Sequence, residues 1–515
     1  MSSSADECST FLARIASRLG DAATSKSSVI KSSGAVDRTS LTTISAVQAV
    51  TALREGDITS EEYASALLER LEALHHLNAF ISVDKNYVLE KAQAADKCRA
   101  AGAKLGLMHG LPVAVKDSIN TKDLPTTAGT SSLRNFRPKE DAPVVASLFR
   151  QGAILLGKTN LHELSYGWTS NNGAFGSVRN PYDLSRIAGG SSGGTAAAVA
   201  ARIVSSGLAE DTCGSIRVPA ALCGIAGFRP TTGRYPAQGI SPISPLFDTP
   251  GSHARSVADL LLYDTVITGD AMLPPFPSLE GIRLGVSPEH FLSGLDPEVE
   301  RVFNEAVERL RAAGAVFVRA DIPNITALLN ATTFPIQSYD AMPNIERYLR
   351  ESGSELSAEQ VYAAVISPRV KYDIDVFFRP GGKYYASTGA YNAAVFTHRP
   401  ALQTTLARYF TEHNITALVH PPTLCSASKI GEEVDVEING KKLPLRIPYA
   451  RNISAASSAG IPALVLPAGM TAAGLPVGIE FDAPALMDRS LLALGITLEQ
   501  ILGSIPAPAC EVDCA

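Results

Sequence analysis

Residues 282–322 read IRLGVSPEHFLSGLDPEVERVFNEAVERLRAAGAVFVRADI. The apolar run at 282–288 predicts a strand. Asp296 then offers an N-cap and Pro297 a first-turn residue that lacks only an N–H the helix cannot use. Val299, Val302, Phe303, Ala306, Val307 and Leu310 follow at helical spacing, and Gly314 supplies a stop. The run AVFVRADI at 315–322 predicts a second strand. Strand, helix and strand in this order mark a parallel or mixed sheet.

The same signature recurs on either side. LPVAVKD (111–117), AILLGKT (153–159), ALVHPP (417–422) and ALVLPAG (463–469) are near-continuous apolar runs, which suit strands covered on both faces. Thr59 with Glu62 makes a capping box ahead of Tyr63, Ala66, Leu67, Leu71 and Leu74, so a surface helix is expected there. Asn452 to Phe481 is broken by Pro462, Pro467 and Pro476, and it reads as strands and turns rather than a membrane span. The expected fold class is α/β, with a central mixed β-sheet covered by helices on both faces. The expected organisation is a flexible leader over 1–42 with a short helix at Thr10 to Leu19, one domain over 43–505 and a flexible tail over 506–515. Within that domain, the Tyr- and Phe-richer segment from about 325 to 415 is expected to be a helical cap.

The 515 residues are 45% hydrophobic, enough for a sizeable core, and the net charge of -6 is spread without a basic block. Nucleic-acid binding and attachment to an anionic membrane therefore lack electrostatic support. Seven cysteines form no metal-ligand pattern, since the Cys510/Cys514 pair has no matching histidines. Free thiols fit a reducing compartment, and the expected location is cytoplasmic. Asp6, Glu7, Asp21 and Asp37 argue against reading the Ser-rich leader as a transit peptide.

Three stretches carry the chemistry. Lys116 ends the strand LPVAVKD; its ammonium either snorkels to solvent or is desolvated, which would favour a neutral amine able to act as a base. GGSSGG (189–194) opens an Ala-rich helix, TAAAVAARIV, with neither of the phosphate-loop patterns. In AEDTCGSIRVPAALCG (209–224), Ser215 follows small residues whose N–H groups can converge on an oxyanion. No histidine lies in the stretch 189–224 to activate a serine.

Together these elements resemble the amidase signature family, as do GKTNLHE (157–163), GFRPTTGR (227–234), GIPALVLPAG (460–469) and GLPVGIEF (474–481). The likeness spans roughly 45–505 and implies the amidase signature fold. Within the family, GRYP (233–236) and ISPISPLFDTPG (240–251) look most like hydrolases of arylacetamides. The resemblance implies Ser215 as nucleophile, Ser191 as proton relay across a cis Gly190–Ser191 peptide, and Lys116 as base, a variant of triad logic. It implies an oxyanion hole from the N–H groups of Thr212, Cys213, Gly214 and Ser215, with no metal or organic cofactor. The implied partner is a small neutral amide, arylacetamide or mandelamide-like, for a stand-alone enzyme that can form a homodimer. Ester or carbamate hydrolysis by the same groups, or an amidotransferase A-type subunit acting with partner chains, are the alternatives. Trp168, Thr130 and Tyr384 are candidate substrate contacts, with Tyr385 and Phe396 as further pocket walls. His109 and His162 are expected to be structural. The family usually has glycine at position 213; a positive φ there would strain Cys213, whereas a turn that accepts any small residue would not.

Overall fold

The structure is a computed structural model that describes Leu12, residues 38–272 and residues 274–509. Apart from Leu12, the helix expected at Thr10 to Leu19 lies outside the described residues, as do Cys8, Cys510 and Cys514. The described fold starts before Thr43: Arg38–Leu41 is already helical, with Leu41 buried.

Eleven strands form one sheet: β1 (Phe80–Ser82), β2 (Pro112–Lys116), β3 (Ile154–Thr159), β4 (Ser206–Asp211), β5 (Ala226–Arg229), β6 (Thr249–Ala254), β7 (Arg283–Val286), β8 (Val316–Arg319), β9 (Ala417–His420), β10 (Ala463–Met470) and β11 (Pro476–Asp482). Their spatial order is β1-β3-β2-β4-β6-β5-β10-β11-β9-β7-β8. β2 runs parallel to β3 and β4, and β7 parallel to β8 and β9; the other neighbours are antiparallel. Every residue of β2, β3, β4, β6 and β11 is buried. Successive side chains of a strand point to opposite faces, so this pattern requires cover on both sides of the sheet. The fold is α/β with a mixed central sheet.

The helices that matter for the site are α1 (Ser60–Ala73), α2 (Gly193–Ala200), α3 (Arg217–Cys223), α4 (Pro297–Ala312), α5 (Ile325–Ser352) and α6 (Arg399–Glu412). α1 carries the Thr59/Glu62 capping box. α4 is capped by Asp296 and buries Val299, Val302, Phe303, Ala306, Val307 and Leu310, so the unit β7-α4-β8 follows the 282–322 pattern. α5 runs through Pro335 and Pro343, each of which removes a backbone donor, and begins a stretch of helices and loops without strands that ends with α6. One expectation fails in part: between Asn452 and β10 the chain forms a helix, Ser454–Ala459, with all six residues buried. Its small side chains let it fit close against the sheet, and Gly460 at φ +79° ends it. No helix among the described residues is long and apolar enough to cross a membrane.

Candidate active site

Because β2, β3 and β4 are parallel, their C-terminal ends meet at one edge of the sheet, the place where open α/β sheets bind ligands. Lys116 ends β2, Thr159 ends β3, and Glu210 and Asp211 end β4. Lys116 is fully buried, which removes the snorkelling alternative. Its Nζ lies 2.6 Å from Ser191 Oγ and 2.5 Å from Glu210 Oε1. Burial pushes the ammonium below the ordinary lysine range, while the charge and hydrogen bond of Glu210 oppose it. Glu210 Oε1 also accepts from Ser165 Oγ at 2.7 Å and Ser118 Oγ at 3.3 Å. A second buried lysine in the same sheet, Lys158, pairs with Asp117 at 3.1 Å instead.

The GGSSGG stretch threads between these strand ends and the rest of the fold. Gly189 has φ +80°, and the Gly190–Ser191 peptide is cis. A Cβ at Gly190 would sit 2.8 Å from the carbonyl carbon of Trp168, so only glycine allows this approach. His162 N and Ser170 Oγ donate to Ser191 O at 3.0 and 3.1 Å, and Ser192 N reaches Ser215 O at 3.3 Å. α2 follows, all eight residues buried, anchored by Thr195 Oγ1 2.6 Å from Thr159 Oγ1.

The loop from Asp211 to Arg217 carries Ser215, which is 5% exposed. Asp211 organises it: its carboxylate accepts from Gly214 N at 2.8 Å and Ile216 N at 3.1 Å, and from the guanidiniums of Arg217 and Arg229 at 3.1 and 2.9 Å. Burial pushes the Asp211 carboxyl up, but the two guanidiniums outweigh it and hold the group well below the carboxylate range. Arg217 in turn donates to Glu480 Oε1 at 2.6 Å. Thr212 Oγ1 donates to Asp248 Oδ1 at 2.5 Å, and Trp168 Nε1 to Cys213 O at 2.8 Å.

These contacts correct the expected donor set. The Gly214 N–H already serves Asp211, so it is not free for an oxyanion; those of Thr212, Cys213 and Ser215 have no partner among the described residues. The positive φ falls on Gly214, at +92°, and not on Cys213, which is therefore unstrained. Cys213 is a free thiol that burial pushes up, with Sγ 3.6 Å from Ser454 Oγ.

Of the candidate substrate contacts, half-buried Trp168 touches the Ser215 loop through Cys213 O, and Thr130 is buried with Oγ1 unpartnered. Tyr384 is not brought to the serines; it is 50% exposed, stacked on Phe377 at 5.4 Å. Phe396 is likewise exposed, and Tyr385 stacks on Tyr339. No histidine ring bonds to Ser191 or Ser215 among the described residues. His162 bonds Thr169 Oγ1 and is pushed down to about 3 by burial, and His109 Nε2 bonds Ala95 O.

Glu210, Asp211, Arg217, Arg229 and Asp248 escaped the sequence reading; the one available signal was AED, two carboxylates ending an otherwise apolar strand. Asp248 is pushed up to about 7 by burial, and it lines a cleft of about 850 Å³ between residues 138–143, 237–248 and the C-terminal end of α5. Asn120 forms another part of that wall, with Arg347 and Tyr348 of α5, and the cleft joins the Ser215 loop through the Thr212–Asp248 contact.

A family model described as Amidase matches residues 62–492. Indoleacetamide hydrolase of Agrobacterium vitis is 38% identical over 459 residues, covering 89% of this chain and 97% of that protein. Mandelamide hydrolase of Pseudomonas putida is 37% identical over 469 residues, covering 88% and 91%. The X-ray structure of native peptide amidase from Stenotrophomonas maltophilia superposes with a TM-score of 0.77 at 29% identity, covering 91% of this chain and 99% of that one. The chain belongs to the amidase signature family of amide-hydrolysing enzymes.

Proposed function

We propose that the chain hydrolyses a small neutral amide, an arylacetamide or mandelamide-like compound, to the carboxylic acid and ammonia through an acyl-enzyme on Ser215. The observation that carries the reading is the buried contact of 2.6 Å between Lys116 Nζ and Ser191 Oγ, beside a loop that presents Ser215. Neutral Lys116 takes the Ser191 proton while Ser191 takes that of Ser215, whose Oγ attacks the amide carbonyl. The Thr212, Cys213 and Ser215 N–H groups receive the oxyanion. Ser191 then protonates the leaving nitrogen, ammonia departs, and water attacks the acyl-enzyme by the reverse relay. Glu210 holds Lys116 in line and sets its basicity. The segment 325–415 acts as the substrate cap; supporting this, α5 contacts the helix Ser454–Ala459 through Thr333 Oγ1 and Ser458 Oγ at 2.7 Å and the loop that bears Asp248 through Ser244 Oγ, which donates to Asp340 at 2.6 Å. The likeness to indoleacetamide and mandelamide hydrolases supports the aryl acyl group.

The test is ammonia release from mandelamide, phenylacetamide, indole-3-acetamide, a straight-chain amide and glutamine, by the chain and by Ser215→Ala. Aryl amides are expected to turn over, and the variant to lose essentially all activity, a fall on the order of 10⁴ or more. Turnover confined to glutamine, or activity retained in Ser215→Ala, would overturn the reading.

A further inference from the structure

Behind the Ser215 loop lies an ionic cluster that the reaction itself does not use. His420 ends β9 directly opposite Glu480 of β11, and Asp482 follows two residues on, so all three side chains share one face. All three are fully buried, with side-chain nitrogen and oxygen atoms within 4.8 Å of one another. His420 Nε2 lies 3.2 Å from Asp482 Oδ2, and Nδ1 lies 3.1 Å from Pro421 O. Neither oxygen of those two contacts can donate when the carboxyl is ionised, so both ring nitrogens must carry protons. Contacts from Glu480 to Arg217, from Arg217 to Asp211 and from Asp211 to Arg229 extend the network to the hydrogen bonds on either side of Ser215.

We propose that His420 is held as an imidazolium and is a positioning residue, the cation that balances the buried network clamping the Ser215 loop. With that proton, Arg217, Arg229 and His420 face Asp211, Glu480 and Asp482, three charges against three; without it a carboxylate charge is left uncompensated in the interior. Two carboxyl protons compete with it: burial raises Glu480 to about 7, although an O–H on its Oε2 would have no acceptor, and an O–H on Asp482 Oδ2 would donate to a neutral His420 Nε2. The state of the ring decides between them. Burial works against the imidazolium, but the bond to Asp482 and the charges of Asp482 and Glu480 outweigh it and raise His420 above the ordinary histidine value. The other groups facing the ring are Phe291, stacked at 4.3 Å, and His290, which burial pushes down to about 4 and which has Arg451 beyond it. The role in activity rests on Ser215 being the nucleophile; the protonation state does not.

The sign of the pH effect follows from linkage. A histidine raised on folding contributes stability that is complete below about 6.5 and is lost as pH rises through the folded value. The first measurement is a two-bond ¹H–¹⁵N spectrum of the full chain, with His420 assigned through His420→Gln or, if that variant does not fold, through the shifts caused by Glu480→Gln. An imidazolium pattern persisting to about pH 7 is expected. Kinetically, wild-type kcat falls on the alkaline side, whereas His420→Gln is slower by roughly tenfold at neutral pH and lacks that fall. Adding Asp482→Asn restores neutrality and most of the rate. A neutral ring near pH 7, an unchanged alkaline fall in His420→Gln, or one tightly held metal ion per purified chain would overturn the proposal. An imidazolium in a chain that hydrolyses none of the amides would leave this inference standing and remove the proposed activity.

Discussion

Lys116 sits under two opposing influences, and their balance is open to measurement. Burial favours the neutral amine a base must be, while Glu210, 2.5 Å away, favours the ammonium. The acid limb of the rate is therefore expected to follow loss of the Lys116 proton and to lie below the ordinary lysine range. Glu210→Gln removes the opposing charge and should move that limb of kcat/KM to lower pH, by on the order of 1 unit or more. A limb that stays in place would show that another group titrates. Cys213 and Gly214 give a second contrast between neighbours. Cys213→Ala should keep the rate within about threefold, because a buried thiol pushed up by its surroundings supplies no thiolate. Gly214→Ala should lower kcat on the order of 10²-fold, because the new Cβ meets Ile453 Cδ1 at 2.7 Å in a left-handed backbone between the proposed oxyanion donors. Equal effects of the two substitutions in ammonia-release assays would remove the distinction.

The end of β4 shows why part of the site was hidden in the chain. Lys116, Ser191 and Ser215 stand out in sequence because each lies in a short unusual pattern. Whether Lys116 is buried could not be read there, because that depends on Glu210 and Ser191 being folded against it. SGLAED (206–211) lacks both alternation and a long apolar run, so it gives a weak strand signal; its partner Arg229 is 18 residues beyond Asp211, and Glu480, which joins the network through Arg217, is 263 residues beyond that arginine. By contrast β7-α4-β8 was legible apart from the short helix Pro288–Phe291 that follows β7, since its caps and apolar spacing are local. Ser454–Ala459 was misread because its buried face is made of Ala and Ser, which leave no hydrophobic stripe. The importance of the β4 end is testable. Asp211→Asn leaves Arg217 and Arg229 buried with one charge fewer and slackens the loop, so it should lower the free energy of unfolding by about 3–5 kcal/mol. Urea denaturation monitored by circular dichroism measures this, and a loss under about 1 kcal/mol would place the loop's support elsewhere.

The order of the sheet makes the last part of the chain structurally central. β10 and β11 come late in sequence, yet they lie between β5 and β9 and join the half of the sheet that bears Lys116 to the half that bears β7-α4-β8. β10 pairs with β5 through Ala463, Leu464 and Val465, and β11 pairs with β9 through Phe481 and Asp482. β11 also brings Glu480 to Arg217, so the same two strands close the sheet and complete the ionic support of the Ser215 loop. A chain ending after Pro462 would keep all of Lys116, Ser191 and Ser215 but expose the edges of β5 and β9 and leave Arg217 without Glu480. Exposed edges invite pairing with other chains, and the lost packing is nonlocal, so no partial sheet is expected to persist. That truncation should show no cooperative thermal transition and rapid proteolysis, whereas a chain ending after Ser504, which keeps every strand and the helix Asp488–Leu502, should melt like the full chain. Cooperative melting of the shorter chain would mean that the two halves of the sheet fold independently, and the catalytic edge would then owe nothing to β11.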